Sequence, residues 1–210
     1  MGEKRVRIGN QTASSAETLR EPFDYAVENG FDAFEWFLDT ARSGDDWEEA
    51  EPAPEELREI GRTAAENDIE LSVHTPWWID PLEPAGYEHL VRSLEFAIEL
   101  EARNLNTHIR SKRGIDAFVE ALSPFLHRLA DLPIRLSIEN IPSSRPDEFN
   151  ELFARFADAA AATRPPALSA VTAVLAACLA PAGSDLRLRA ASTIEAVATR
   201  ASCKGPPNSS

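Results

Sequence analysis

The sequence predicts a parallel α/β fold of the β/α-barrel type, in which strands and helices alternate along the chain. Three short segments that resemble buried strands each end in a residue that can bind a metal, namely His74, His108 and Glu139. The intervals between these residues are 34 and 31 positions, which is about the length of one strand-plus-helix unit. Because parallel strands end on the same face of such a fold, we expect the three side chains to meet there.

Hydrophobic patterning predicts five strands. The first alternates apolar and polar side chains, as a half-buried strand does, and the second is rich in aromatic residues. The last three are short runs, and a polar side chain ends or directly follows each of them, namely His74, His108 and Glu139. The five strands are predicted at residues 5–12, 31–38, 69–74, 104–108 and 134–138.

Each strand is followed by a segment whose apolar side chains have helical spacing. Gly30 suits the C-terminal cap of the first helix, and Pro54 suits the first turn of the second. Leu90 and Leu94 lie on the apolar stripe of the third helix, and Pro124 is expected to bend the fourth. The helices are predicted at residues 16–29, 54–67, 87–102, 115–132 and 146–156.

The end of the chain differs in character from the rest. It is rich in alanine, proline and arginine and shows no convincing strand, so we predict a partial barrel at 1–156 and a helical or disordered tail at 157–210. Three more barrel units would need about 90 residues, which is more than residues 157–210 provide. We therefore expect only the first five units, and we hypothesise that a truncation or a frameshift has replaced the last three.

Composition limits the partners that the protein can have. The formal net charge of -14 disfavours a nucleic-acid surface, which draws on Lys and Arg. No segment reaches the roughly 20 apolar residues of a membrane span, and the N-terminus lacks the apolar core of a signal peptide. The two cysteines, Cys178 and Cys203, match neither a disulfide framework nor a zinc-binding pattern. We predict a cytoplasmic protein without a nucleic-acid or membrane partner.

Polar side chains stand at or near the ends of all five predicted strands. Glu139 directly follows an apolar strand, where an unpaired charge is costly, so a functional role is favoured for it. His74 opens an aromatic loop, and His108 stands close to Arg110. Glu35 lies among apolar neighbours, which favours either a site role or a partner side chain, whereas Asn10 is better explained as an amide that caps a loop.

These residue types indicate metal-assisted chemistry. Imidazole nitrogens and carboxylate oxygens bind divalent ions such as Zn²⁺ or Mn²⁺, and a carboxylate beside the ion can move a proton between adjacent carbons. Trp77 and Trp78 follow His74 and would either wall a sugar ring or cover the barrel rim. The sequence contains no glycine-rich loop of the kind that cradles phosphates, and no nucleophile elbow.

At these residues the chain resembles the xylose isomerase-like TIM-barrel superfamily, which contains sugar (phosphate) isomerases and epimerases and the endonuclease IV branch. The resemblance covers about residues 5–156 and implies a (β/α)8 TIM-barrel fold. It rests on the order and spacing of four segments, which are Gly30–Trp36, Ser72–Pro76, Thr107–Arg110 and Ser137–Ile141.

The resemblance implies a divalent metal (Mn, Mg, Co or Zn) bound by Glu139, His74 and His108, with Glu139 as the catalytic carboxylate. In the endonuclease branch the two histidine positions bind zinc, whereas in sugar isomerases they more often face substrate. The superfamily has further ligands on strands six to eight, and nothing in this sequence corresponds to them. The residues expected to bind substrate are Asn10, Glu35, Trp77, Arg110 and Asn140.

The function that we predict is isomerisation or epimerisation of a small sugar (or sugar phosphate) or polyol, with proton transfer by a strand-end carboxylate. One alternative is an endonuclease IV-like phosphodiesterase, which the acidic charge disfavours. Another is an inactive partial barrel, so enzymatic activity stays open. An open barrel exposes unpaired backbone groups at its edge strands, and we therefore expect that copies of the chain can associate there.

Overall fold

The computed structural model describes residues 7–13, 16–38, 52–141, 143–163 and 171–173. Strands and helices alternate, and the strands lie in the sheet in chain order. The strands are β1 (Gly9–Gln11), β2 (Ala33–Phe37), β3 (Glu70–His74), β4 (Asn104–His108), β5 (Arg135–Glu139) and β6 (Val171–Ala173). The helices are α1 (Glu21–Glu28), α2 (Pro54–Glu66), α3 (Pro84–Glu99), α4 (Ile115–Leu129) and α5 (Pro146–Thr163). The predicted parallel α/β architecture with five β/α units is confirmed.

The predicted boundaries agree best for the strands, and β4 has the predicted bounds. Two helices differ because proline sets their first turn: α1 begins at Glu21 with Pro22 in that turn, and α3 begins at Pro84. Helix α5 runs on to Thr163, and the three-residue strand β6 was not predicted. The division of the chain at 156/157 stays a prediction, since most of the tail (164–170 and 174–210) lies outside the described residues.

The chain forms two compact units. The first consists of residues 1–107 and 132–137, so it contains β1 to β3, α1 to α3, and the larger part of β4. The second consists of residues 108–131 and 138–210 and contains α4 and α5.

An aromatic cluster forms the core of the first unit. Phe34 and Trp36 lie on the helix-facing side of β2 and are almost fully buried. The ring of Phe23 on α1 packs edge-on against Phe34 at a centroid distance of 5.5 Å, and Phe96 on α3 contacts Trp36 at 6.2 Å. Burial of such side chains contributes about 1.5–3 kcal/mol each. Helices α1 and α3 are therefore held to β2 mainly by apolar contact.

Helices α1, α2 and α3 end in the same way. A residue with positive φ follows each helix, namely Gly30 (65°), Asp68 (55°) and Glu101 (56°). The next residue then donates its N–H to a carbonyl five positions back, as Phe31 does to Ala26 at 3.0 Å. This C-terminal motif satisfies carbonyls of the last turn and leads the chain into the next strand. The cap that the sequence predicted at Gly30 is confirmed.

Helices α4 and α5 pack together in the second unit. Their buried side chains are aromatic or aliphatic, and Arg155 on α5 pairs with Asp116 on α4 at 2.6 Å. Pro124 lies inside α4 at an exposed position. At the start of α5, Glu148 accepts hydrogen bonds from the Arg145 N–H (2.7 Å) and from the Ser111 hydroxyl (2.8 Å). A glutamate that reaches back in this way caps the helix and ties it to the loop after β4.

Strand β1 stands at one end of the sheet, and its neighbour Ile8 is 63% exposed. Association of copies through this edge stays a prediction. Among the described helices, none combines the length and the apolar character needed to cross a membrane.

Gly61 offers a test of how closely α2 approaches the end of α3. A Cβ atom at Gly61 would lie 2.7 Å from the carbonyl oxygen of Leu100, closer than real contacts allow. We expect Gly61→Ala to lower the free energy of unfolding by about 1–3 kcal/mol, as overpacking does. This loss would appear although alanine has the higher helix propensity by about 1 kcal/mol. Urea denaturation measures the change.

The matched control is Ala65→Gly at an exposed position of the same helix, which should cost only the propensity difference of about 1 kcal/mol. Stabilisation by Gly61→Ala would show that α2 and Leu100 are not in close contact.

Candidate metal centre

The three predicted metal ligands are each the last residue of a strand. His74 ends β3, His108 ends β4 and Glu139 ends β5. The carboxyl ends of parallel strands lie at the same edge of the sheet, and α/β barrels have their functional residues at this edge. This position follows directly from the strand boundaries.

The structure brings these three side chains together. Each offers one ligand atom, and the three atoms lie within 4.8 Å of one another. His74 is buried, whereas His108 and Glu139 are half-buried. Two ligands that each lie about 2.1 Å from one ion are at most about 4.2 Å apart. The observed spacing is close to that limit, so a small inward movement of the side chains would let one ion contact all three.

The ring of His74 is oriented by its neighbour in the chain. Its Nδ1 atom lies 2.7 Å from the carbonyl oxygen of Thr75. A carbonyl can only accept, so Nδ1 carries the proton of this hydrogen bond, and Nε2 of the neutral ring carries the lone pair. A histidine that binds a metal commonly donates its other ring N–H in this way. The contact therefore gives His74 the tautomer that a metal ligand needs.

Thr75 is itself held on two sides. Its N–H donates to the carbonyl oxygen of Asn106 at 2.9 Å, and its hydroxyl donates to that of Thr107 at 3.1 Å. Both threonines are at most 1% exposed. The carbonyl group that orients His74 thus belongs to a buried, doubly bonded residue.

Phe37 completes the surroundings of His74 and was not among the predicted site residues. The two rings lie 4.5 Å apart between centroids, and the two residues are register partners in β2 and β3. The signal was present, since Phe37 stands two positions after Glu35 and so shares its side of the strand. Half-buried Phe37 supplies an apolar surface beside the imidazole.

A chain of hydrogen bonds runs along the side of the sheet that faces away from the helices, which we call the inner side. The Ser137 hydroxyl donates to Asn104 Oδ1 (2.8 Å), and Asn104 Nδ2 donates to Asn106 Oδ1. Asn106 Nδ2 in turn donates to Glu35 Oε2, which also accepts from the Ser72 hydroxyl at 3.4 Å. Glu35 therefore has the partners that a partly buried carboxylate requires. Sequence reasoning missed the other four residues, although each stands two or four positions before a predicted ligand on its strand.

The remaining predicted residues lie on β1 or follow the strand ends. Asn10 is in β1, and its side-chain oxygen accepts the N–H of Gln11 at 2.9 Å, a local contact. Trp77 follows β3 and is 50% exposed, and half-buried Arg110 follows β4. Half-buried Asn140 follows Glu139, and its Oδ1 is buried without a hydrogen bond within the described part of the chain. Substrate binding by these residues stays a prediction.

The donor set fits a divalent metal ion. Two imidazole nitrogens and one carboxylate oxygen are the ligand types found in catalytic zinc sites, where three protein groups leave a position for water or substrate. The orientation of His74 by the Thr75 carbonyl is a separate observation that agrees with this use.

The family model described as xylose isomerase-like TIM barrel matches residues 23–170, well over half of the chain. The chain therefore belongs to this family, and the resemblance seen in the sequence is confirmed. The match extends to residue 170, past residue 156, at which the resemblance visible in the sequence ends. No curated protein matches the chain.

Solved structures agree in fold. The chain is similar to D-psicose 3-epimerase, with a TM-score of 0.57, 16% identity, and coverage of 81% of this chain and 63% of that one. The probable 3-DHS dehydratase AsbF of Bacillus anthracis gives a TM-score of 0.54, 13% identity and coverages of 81% and 62%. The TTHB071 protein of Thermus thermophilus, soaked with ZnCl2, gives 0.52, 23%, and 80% and 65%. The chain thus spans less than two thirds of the length of each.

Ser137 tests the hydrogen-bond chain on the inner side of the sheet. Ser137→Ala removes the donor to Asn104 Oδ1 at a residue that is 1% exposed. We expect the free energy of unfolding to fall by about 1–2 kcal/mol, because an acceptor loses its partner. Urea denaturation measures the change.

Ser93→Ala is the matched control, since Ser93 is also buried but donates to the helical carbonyl of His89. Such a bond within a helix adds little, so we expect a change of about 0.5 kcal/mol or less. Equal effects of the two substitutions would argue against a connected chain.

Proposed function

We propose that this protein is a metal-dependent isomerase or epimerase that acts on a small sugar or polyol. The observation that carries the proposal is the group of His74, His108 and Glu139, whose ligand atoms lie within 4.8 Å of one another. The family supports it, because similar structures include D-psicose 3-epimerase and the D-allulose 3-epimerase of Methylomonas sp.. At identities of 16% and 15%, these two structures support the fold alone, so the proposed reaction rests on the candidate metal centre.

His74, His108 and Glu139 would hold the ion. Nitrogen and carboxylate ligands suit Zn²⁺, Mn²⁺ or Co²⁺ better than Mg²⁺, which prefers oxygen ligands and retains its water. A divalent ion bound there polarises a hydroxyl or carbonyl oxygen of the substrate and so makes the neighbouring C–H group more acidic.

Glu139 would move the proton. A carboxylate has two oxygens, so one can bind the ion while the other accepts a proton from one carbon and returns it to the same or an adjacent carbon. Return to the adjacent carbon, with a hydroxyl proton moving between the two oxygens, gives an isomer, whereas an epimer requires a second proton donor on the opposite face of the same carbon. The half-buried position of Glu139 allows both solvent exclusion and contact with a small substrate.

The residues that follow the strands would bind the sugar. Trp77 and Phe37 offer flat apolar surfaces on which the C–H face of a sugar can pack. Arg110 and Asn140 carry hydrogen-bonding groups next to His108 and Glu139, respectively, in the sequence. Asn10, on β1, is assigned to the same role. Together they would orient the carbon that exchanges its proton towards Glu139.

Metal binding is the first test. We expect the full chain, stripped with a chelator, to bind one Zn²⁺ or Co²⁺ ion per molecule in competition with a chromophoric chelator. His74→Ala, His108→Ala and Glu139→Gln should each weaken binding by more than the roughly 10- to 100-fold that loss of a supporting residue causes.

His127→Ala is the control, because His127 is an exposed histidine in the last turn of α4. An equal loss of affinity in this variant would mean that the metal binds elsewhere. A wild-type chain that binds no ion and aggregates would favour the inactive partial barrel.

Proton exchange tests the reaction. We expect the chain loaded with Mn²⁺ or Co²⁺ to incorporate deuterium from D2O into a ketohexose such as D-fructose, at the carbon that loses its proton. Glu139→Gln should abolish the exchange, and Trp77→Ala should raise KM more than it lowers kcat. NMR of the recovered sugar is the measurement. Cleavage of abasic DNA without exchange on any sugar would overturn the proposal in favour of a phosphodiesterase.

A further inference from the structure

Glu35 is the charged residue at the end of the hydrogen-bond chain on the inner side of the sheet. Its Oε2 atom accepts from Asn106 Nδ2 on β4 and from the Ser72 hydroxyl on β3. Asn106 is only 6% exposed, so its side-chain donor has little access to water. Hydrogen bonds to an ionised acceptor are roughly twice as strong as neutral ones. Glu35 therefore sets the orientation of both partners.

Asn106 connects Glu35 with His74. Its side chain bonds to Glu35, while its main-chain carbonyl accepts the N–H of Thr75 at 2.9 Å. The Thr75 carbonyl in turn accepts from His74 Nδ1 at 2.7 Å. Asn106 is also the register partner of His74 in the pairing of β3 with β4. Three consecutive hydrogen bonds thus lead from the carboxylate to the imidazole.

Ser72 provides a second connection. It stands two positions before His74 on β3, so both side chains point to the same side of the sheet. Ser72 is the register partner of Glu35, and Phe37, which contacts the His74 ring, is the partner of His74. One oxygen of Glu35 therefore holds β3 and β4 together next to the residue that orients His74.

We propose that Glu35 is a positioning residue for His74. Through Asn106 and Thr75 it keeps the imidazole in the tautomer that presents Nε2 to a metal. The consequence for metal binding rests on the function proposed above, whereas the effect on the tautomer of His74 does not depend on any metal. The same contacts explain why a hydrogen-bond acceptor is present at this position of β2.

The variants separate charge from geometry. Glu35→Gln can place its side-chain oxygen where Oε2 stands and so keep both hydrogen bonds. Glu35→Ala removes the acceptor and leaves Asn106 Nδ2 without its partner. Glu35→Asp keeps the charge but withdraws the oxygen by about one bond length, and it serves if the alanine variant does not fold. Glu70→Ala is the control, because Glu70 is a carboxylate on β3 that pairs with Arg7 instead.

Long-range ¹H–¹⁵N NMR of the metal-free full chain reports which ring nitrogen of His74 carries the proton. We expect the Nδ1–H form in the wild type, in Glu35→Gln and in Glu70→Ala. In Glu35→Ala and Glu35→Asp the population of this form should fall, while the correlations of exposed His127 stay unchanged. A merely structural role of Glu35 would lower the melting temperature without moving the tautomer of His74.

Zn²⁺ affinity is the second readout. We expect Glu35→Ala to weaken binding 10- to 100-fold, the usual effect of losing a residue that supports a ligand. Glu35→Gln should stay within about 3-fold, and Glu35→Ala should add nothing in the His74→Ala background, since the two residues act in series.

The two readouts separate the proposals. A chain that shows the tautomer shift but binds no Zn²⁺ would refute the proposed function and leave the role of Glu35 intact. A folded Glu35→Ala or Glu35→Asp protein with unchanged tautomer and unchanged Zn²⁺ affinity would refute the role of Glu35. The proposed function would survive that second result.

Discussion

The register of the parallel strands decides which side chains of β2, β3 and β4 meet. It pairs Phe37 with His74 and His74 with Asn106, so these three residues form one row across β2, β3 and β4. A slip of one residue would send each side chain to the opposite side of its strand. The imidazole would then face the helices and lose its contacts with Phe37 and Thr75.

The two sides of the sheet have different physical roles. Side chains such as Trp36 and Leu105 face the helices and are fully buried, so the apolar contact that stabilises the fold lies on that side. The inner side carries Glu35, Asn106 and Ser137 in a hydrogen-bonded chain, where barrels of this class more often have branched apolar residues. This separation leaves the inner side to polar chemistry at little cost to the core.

Membership of the xylose isomerase-like TIM-barrel family accounts for the architecture, and the residues at the strand ends decide the chemistry. His74 is the best-supported of the three candidate ligands, because the Thr75 carbonyl determines its tautomer and Phe37 flanks its ring. A metal ligand that is oriented before the ion arrives loses less conformational entropy on binding. The buried neighbourhood of His74 therefore supports its assignment as a candidate metal ligand.

The sequence predicts the alternation of strands and helices, and it places the last residue of each of the first five strands to within one position. These are local properties, because the spacing of apolar residues predicts an element and proline or glycine marks its ends, as β4 and Gly30 illustrate. The partners of Glu35 and the ring contact between Phe37 and His74 depend on how the strands pair in the folded chain. Asn106 lies 71 positions from Glu35, and such a contact depends on which strands are neighbours and in which register. Hydrophobic patterning records which side of a strand is apolar, so it limits the register to steps of two residues but does not show which strands are neighbours.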